Sequence, residues 1–275
     1  MVIVIQCKDS VGLVAAISKV LAIAGYNIIS MREHVDVEEN NFFARIVIDS
    51  ITDPNDVEKS LEQILPPFSI VKVNPQPEKK IVVLVTKDYH CLSDILARNH
   101  FKTLGAEVQC VIGNHSDLKN LTERFDVPFH LVDHENKSRE DFENELRVVI
   151  FPYNPDYLIL AKFMRILSPE FITDFLLKII NIHHSFLPAF IGANPYRQAF
   201  SRGVKIIGAT AHFVTNDLDE GPIITQKIIP VNHSFTLKDL VRAGRENETA
   251  ALAKAMQLVF EDRVFVCNNK TVVFE

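Results

Sequence analysis

Apolar positions in this chain follow two different rhythms, one before residue 75 and another after residue 80. In the first stretch, residues 2–7, 28–37, 41–48 and 70–73 carry the short apolar runs expected of strands. Val14, Ile17, Val20 and Leu21 recur at helical spacing after Asp9-Ser10-Val11-Gly12-Leu13, and Gly25-Tyr26-Asn27 ends that helix. A second helix is expected from Asp53-Pro54 to Ile64, and Glu38-Glu39-Asn40 supplies a polar hairpin tip. The order strand, helix, strand, strand, helix, strand predicts a ferredoxin-like split βαβ unit of the α+β class.

Pro75-Gln76-Pro77-Glu78-Lys79-Lys80 combines prolines and charge without an apolar anchor, the composition of a linker. The boundary therefore falls there, giving one domain over residues 1–75 and a second over residues 80–275. Beyond it, apolar runs at 81–85, 108–112, 128–132, 157–160 and 179–182 alternate with helical spacing, the helices expected at Leu92, Ile95 and Leu96, at 117–125, at 139–149 and at 170–177. Strands that are apolar throughout and separated by helices predict an α/β, doubly wound, mostly parallel sheet covered on both faces. A long helix near 236–262 and a strand pair at 264–267 and 271–274 complete the pattern. In such sheets ligands sit beyond the carboxyl ends of the strands.

Composition narrows the classes. With 275 residues and 47% hydrophobic content the chain can bury two cores. Lys and Arg total 29 against 35 Asp and Glu, a formal charge of -6, and no basic block offers a nucleic-acid footprint. Cys7, Cys91, Cys110 and Cys267 are widely spaced, which fits reduced thiols better than a disulfide framework or a zinc site. The opening apolar run is too short for a leader and no 18-residue uncharged apolar stretch occurs, so a soluble, cytoplasmic protein with no membrane partner is expected.

Chemistry concentrates around Asn181-Ile182-His183-His184-Ser185-Phe186-Leu187-Pro188 and Asp217-Leu218-Asp219-Glu220-Gly221-Pro222. Asn181 and His183 are two apart at the end of an apolar run, so a strand sends both side chains to one face. An amide can donate to a developing oxyanion, an imidazole can move protons near neutral pH, and a carboxylate can polarise either. Taken alone, Asn-Ile-His is also the hydrogen-bonded end of an ordinary strand. Strand alternation would turn His184 away from His183, which argues against a metal held by adjacent histidines; no metal site is expected. His212, in Thr210-Ala211-His212-Phe213, is placed to line the pocket, with a satisfied core histidine as the plainer reading.

Those segments, together with Phe163-Met164-Arg165-Ile166-Leu167-Ser168-Pro169 and Gly208-Ala209-Thr210-Ala211-His212-Phe213, resemble the folate-dependent formyltransferase family over roughly residues 80 to 267. Asp9-Ser10-Val11-Gly12-Leu13-Val14 with Gly25-Tyr26-Asn27-Ile28 resembles an ACT domain, a small-molecule regulatory module. An ACT unit ahead of a formyltransferase-like unit is the architecture of the formyltetrahydrofolate deformylase family. The resemblance implies hydrolysis of 10-formyltetrahydrofolate to formate and tetrahydrofolate, supplying formate for purine biosynthesis. It implies catalytic roles for Asn181, His183 and Asp219, with Asp219 favouring the imidazolium form of His183 and orienting water. Met164, Arg165, Ile166, Leu167 and Ser168 would bind the folate. Arg165 suits a carboxylate of the glutamate tail or, equally, a surface ion pair. No cofactor is implied, since the folate is the substrate. An amino-acid effector at the ACT domain and a homo-oligomer are the implied partners.

Two alternatives remain at this level: a glycinamide ribonucleotide formyltransferase, and a non-catalytic folate or amino-acid sensor. The first strand-to-helix turn, Thr86-Lys87-Asp88-Tyr89-His90-Cys91, opposes the former, because it lacks the glycines that let backbone approach a phosphate and adds an acid that repels one.

Overall fold

A computed structural model describes residues 1–49, 54–74, 78–189 and 195–275. The expected helix start at Asp53 and the Pro75, Gln76 and Pro77 part of the linker lie outside the described residues. The chain divides into two compact units, Met1–Pro77 with Leu258–Cys267 and Thr271–Glu275, and Glu78–Gln257 with Asn268–Lys270. Among the described residues no helix is long and apolar enough to cross a membrane.

The first unit contains β1 (Val2–Lys8), α1 (Leu13–Ile23), β2 (Asn27–Asp36), β3 (Asn41–Asp49), α2 (Pro54–Glu62) and β4 (Ile70–Asn74). Its sheet has the order β2-β3-β1-β4, with antiparallel pairing throughout. Alternation decides its faces. Ile3, Ile5, Cys7, Phe42, Ala44, Ile46 and Ile48 are buried in one core with Leu13, Ile17 and Leu21 of α1 and Val57 and Leu61 of α2.

The second unit runs β5 (Lys79–Val85), α3 (His90–His100), β6 (Ala106–Gly113), α4 (Lys119–Glu123), β7 (Phe129–Leu131), α5 (Arg139–Ile150), β8 (Tyr157–Leu160), α6 (Pro169–Asp174), β9 (Ile179–His183), α7 (Pro195–Arg202), β10 (Ile206–Phe213), β11 (Ile223–Pro230) and α8 (Leu237–Phe260). Its seven strands lie in the order β11-β10-β9-β8-β5-β6-β7. Pairings among β9, β8, β5, β6 and β7 are parallel, and β10 and β11 join antiparallel. Val82, Leu84, Leu158, Leu160 and Ile179 face Phe142, Leu146 and Ile150 of α5 and Phe171 and Ile172 of α6 in one buried cluster. Strand order reverses around β5, which lies between β6 and β8. A crevice is therefore expected at the carboxyl ends of β5, β8 and β9.

Neither α7 nor β11 follows from the apolar pattern, for a physical reason. Only Pro195 and Ala199 of α7 are buried, and β11 buries only Ile224, so neither carries a periodic apolar face. The helix expected at 170–177 stops at Asp174, and Leu177 adopts a left-handed backbone. A closing hairpin of β12 (Val264–Cys267) and β13 (Lys270–Val273) precedes Phe274. Phe265, Cys267 and Phe274 pack on Phe43 and Val4, the face of the first sheet that α1 and α2 leave open.

Candidate active site

Sequence dictates where Asn181 and His183 point. Both lie on β9, whose register with β10 pairs Asn181 with His212 and His183 with Thr210. The alternation that buries Ile180 and Ile182 in the sheet turns Asn181 and His183 toward one cavity of about 930 Å³. The Asn181 amide donates to His212 Nε2 at 3.2 Å, while His212 Nδ1 donates to the Phe213 carbonyl at 2.9 Å. That pair of bonds fixes the neutral Nδ1–H tautomer of His212. Burial pushes its imidazole below the ordinary value, against the opposing pull of the Phe213 carbonyl and Asp219. His212 is thus not an idle core residue. It holds one amide hydrogen of Asn181 and leaves the other for a ligand.

Asp219 arrives from the loop before β11 and closes the group. Its Oδ2 lies 3.3 Å from His183 Nδ1, and its Oδ1 lies 3.7 Å from His212 Nε2. Only the former is a hydrogen bond, from His183 to the carboxylate, because His212 Nε2 is already an acceptor. Burial alone would raise the Asp219 carboxyl, but the hydrogen bond from His183 and the neighbouring imidazoles more than offset it and hold the group below the ordinary value. A carboxylate on Nδ1 orients the ring, and His183 Nε2 is left buried without a partner among the described residues. Such an orphaned nitrogen is costly unless a ligand engages it.

The loop geometry explains the Asp219-Glu220-Gly221-Pro222 run. Phe213 donates its amide to the Pro222 carbonyl at 2.9 Å, drawing the loop onto the end of β10. A Cβ on Gly221 would stand 1.8 Å from the Phe213 carbonyl oxygen, so only glycine fits. Asp219 itself sits at φ 58°, a left-handed conformation that aspartate tolerates better than most residues.

The five residues expected to bind folate separate into two sets. Met164, Arg165, Ile166 and Leu167 line the cavity, with Met164 and Ile166 more than half exposed. The Arg165 guanidinium lies 5.9 Å from the Phe142 ring centre. Ser168 is placed elsewhere. Its hydroxyl caps α6 through the Phe171 amide at 3.2 Å and bonds Glu143, whose other oxygen accepts the Ser168 amide at 2.7 Å. Local hydrogen bonding thus explains Ser168, and it does not line the cavity.

A second polar group lines the same cavity and escapes the sequence reading. Glu248, on α8, accepts His90 Nε2 at 2.8 Å, Lys162 Nζ at 3.2 Å and the Tyr196 hydroxyl. Burial would raise the Glu248 carboxyl, yet these three partners bring it down to about 2. Cys91 adds a third metal-type donor, since ligand atoms of His90, Cys91 and Glu248 come within 4.8 Å of one another. Burial and the Glu248 charge push the Cys91 thiol up to about 12, however, and Lys162 already supplies the counter-charge. The trio is better described as part of a buried ion network. One sequence signal marks Glu248: it falls on the buried stripe of α8 with Ala251, Leu252 and Ala255. His184 was expected to turn away from the site, but it lines the cavity, because β9 ends at His183 and strand alternation no longer applies.

Comparison with known proteins places this arrangement. A formyl transferase family model matches residues 79–256, and an ACT domain model matches residues 1–65. A formyltetrahydrofolate deformylase of Haemophilus influenzae is 47% identical over 272 residues, 99% of this chain and 98% of that protein. This chain belongs to the formyltetrahydrofolate deformylase family. The crystal structure of a family member from Pseudomonas syringae pv. tomato superposes with a TM-score of 0.95 at 38% identity, covering 100% of this chain and 94% of that one. Glycinamide ribonucleotide transformylase 1 from Symbiobacterium toebii gives a TM-score of 0.69 at 32% identity and covers 72% of this chain and 95% of that one. The deformylase likeness thus spans both units.

Proposed function

We propose that this chain hydrolyses 10-formyltetrahydrofolate to formate and tetrahydrofolate, with Asn181, His183 and Asp219 as the catalytic residues. The observation that carries the reading is their convergence on one cavity, with an amide hydrogen of Asn181 and the Nε2 of His183 both lacking partners among the described residues. Water adds to the formyl carbon, the C–O bond forms and the carbonyl electrons move onto oxygen. The Asn181 amide and a protonated His183 Nε2 donate to that oxyanion, and Asp219 takes up a proton as the water becomes acidic. Collapse breaks the bond to N10, which takes the proton held by Asp219, and the formic acid releases the remaining water proton to solvent and departs as formate.

Met164, Arg165, Ile166 and Leu167 supply the folate wall, apolar with a few polar groups as a bicyclic ligand requires. Tetrahydrofolate enters as part of the substrate, and the reaction draws on side chains and water without a cofactor. The Thr86 to Cys91 turn supports water over a phosphorylated acceptor. Thr86 Oγ1 accepts the Met164 amide at 2.9 Å, and Asp88 pairs with Arg245 at 3.0 Å, so a carboxylate stands where a phosphate cradle would be needed. Formate feeds purine biosynthesis and tetrahydrofolate returns to the one-carbon pool. The ACT match supports a small amino-acid effector, and the reading includes pairing of subunits in a homo-oligomer and a cytoplasmic enzyme. Replacing Asp219 by Asn tests the assignment: the variant should fold and bind tetrahydrofolate but lose most formate release, and near wild-type turnover would remove Asp219 from the mechanism.

A further inference from the structure

We propose that His184 is a further catalytic residue, which holds the attacking water through its imidazole, with the Lys162–Glu248 ion pair at the same cavity wall acting through it. The inference rests on the hydrolytic reading above and adds the group that receives the nucleophile. His184 follows the last paired residue of β9 and lines the cavity beside His183. The two rings stand edge-on, with centres 5.1 Å apart and planes at 88°. Tyr196 on α7 packs the other side, 6.3 Å away at 85°, and its hydroxyl is tied to Glu248. Among the described residues no protein group hydrogen-bonds either ring nitrogen of His184. The ring is therefore fixed by packing while its polar edge is left for a ligand.

The surroundings decide its protonation. Burial pushes the His184 imidazole down to about 4, helped by Lys162 after β8 and by His183, and opposed by Glu248 on α8 and Asp219 in the loop before β11. His90 at the start of α3 and Arg245 on α8, also at the cavity wall with Arg165, Arg197 and His212, are engaged by Glu248 and by Asp88 respectively. At neutral pH His184 thus offers one lone pair to a water O–H and one N–H. Lys162 is held in a left-handed backbone at φ 63° with its ammonium buried against Glu248, a conformation that costs energy in a non-glycine residue. The ion pair with Glu248 holds that positive charge at the cavity wall, where it disfavours a proton on His184. In the step itself His184 accepts a hydrogen bond from the water; the C–O bond forms, the C–N10 bond breaks, one water proton ends on N10 and the other is released from formic acid.

The test uses the full chain and formylated folate in buffer. His184→Phe, which keeps the packing, should lower kcat about 100-fold, the scale of a positioned acid–base group, with KM within about threefold of wild type. His184→Asn serves if the phenylalanine variant does not fold, and should retain an intermediate rate. Lys162→Met should move the acid limb of the kcat–pH profile to higher pH, because losing the ammonium lets His184 protonate sooner, whereas Lys162→Arg should restore the wild-type limb. A merely structural network would change rate or stability without moving that limb. An active wild type with full turnover in His184→Phe, or an unmoved limb in Lys162→Met, overturns the proposal. A wild type that releases no formate overturns the hydrolytic reading beneath it.

Discussion

Replacing Glu248 by Gln should destabilise the protein by an amount the buried network fixes. A free glutamate titrates near 4.5, and in the fold the carboxyl is held at about 2 by His90, Lys162 and Tyr196 despite its burial. The gap corresponds to roughly 3 kcal/mol of stability, at about 1.4 kcal/mol for each tenfold change in proton affinity. A carboxylate whose titration is depressed by folding stabilises fully above its unfolded value and loses that contribution as pH falls through its folded value. The contribution should be complete at pH 7, about 2 kcal/mol at pH 3.5, and nearly gone below pH 2. Glutamine cannot carry the charge and leaves the Lys162 ammonium buried without its counter-ion. For a unit of this size the loss is roughly 6 to 12 °C in Tm at pH 7. Thermal unfolding followed by circular dichroism at pH 7 and pH 3.5 measures both values. Equal Tm values at pH 7, or a difference that does not shrink on acidification, would refute the reasoning. Lys162→Met in the same chain should recover part of the loss, because no charge then remains unpaired.

Other outcomes follow from the loop, the hairpin and the regulatory unit. Gly221→Ala should fold but lose about 100-fold in kcat, since a misplacement of about 1 Å has that cost and the new methyl must push the Asp219 loop off the Phe213 carbonyl; a wild-type kcat would show that the loop is free to move. A chain reduced to residues 78–275 should expose Phe265 and Phe274, which pack on Phe43, and should bind a hydrophobic dye more strongly than one reduced to residues 78–257. Equal dye binding would mean that the hairpin does not need Phe43. Any rate response to small amino acids should disappear when residues 1–77 are removed, and a response that survives would place the effector site in the second unit.

Much of this was legible from local periodicity. Short apolar runs gave β1 to β4, helical spacing and turn residues gave α1 and α2, and continuous apolar runs gave the parallel part of the second sheet. The two-residue spacing of Asn181 and His183 placed both in one pocket. What escaped depends on contacts that no local window holds. Glu248 meets His90 across 158 residues, and Lys162 acts only because β8 ends beside α8. Ser168 differs from its neighbours: a short-range cap engages its hydroxyl, while Met164 to Leu167 line the cavity. His184 was misplaced because the alternation rule was carried one residue beyond the end of β9.

Formate release tests the central claim most directly. Purified full-length protein is supplied with 10-formyltetrahydrofolate in buffer alone, and then with glycinamide ribonucleotide added. The account predicts one formate and one tetrahydrofolate for each formylfolate consumed, at a rate the ribonucleotide does not change. Formyl transfer to the ribonucleotide faster than formate release, or no turnover until an acceptor amine is present, would contradict it.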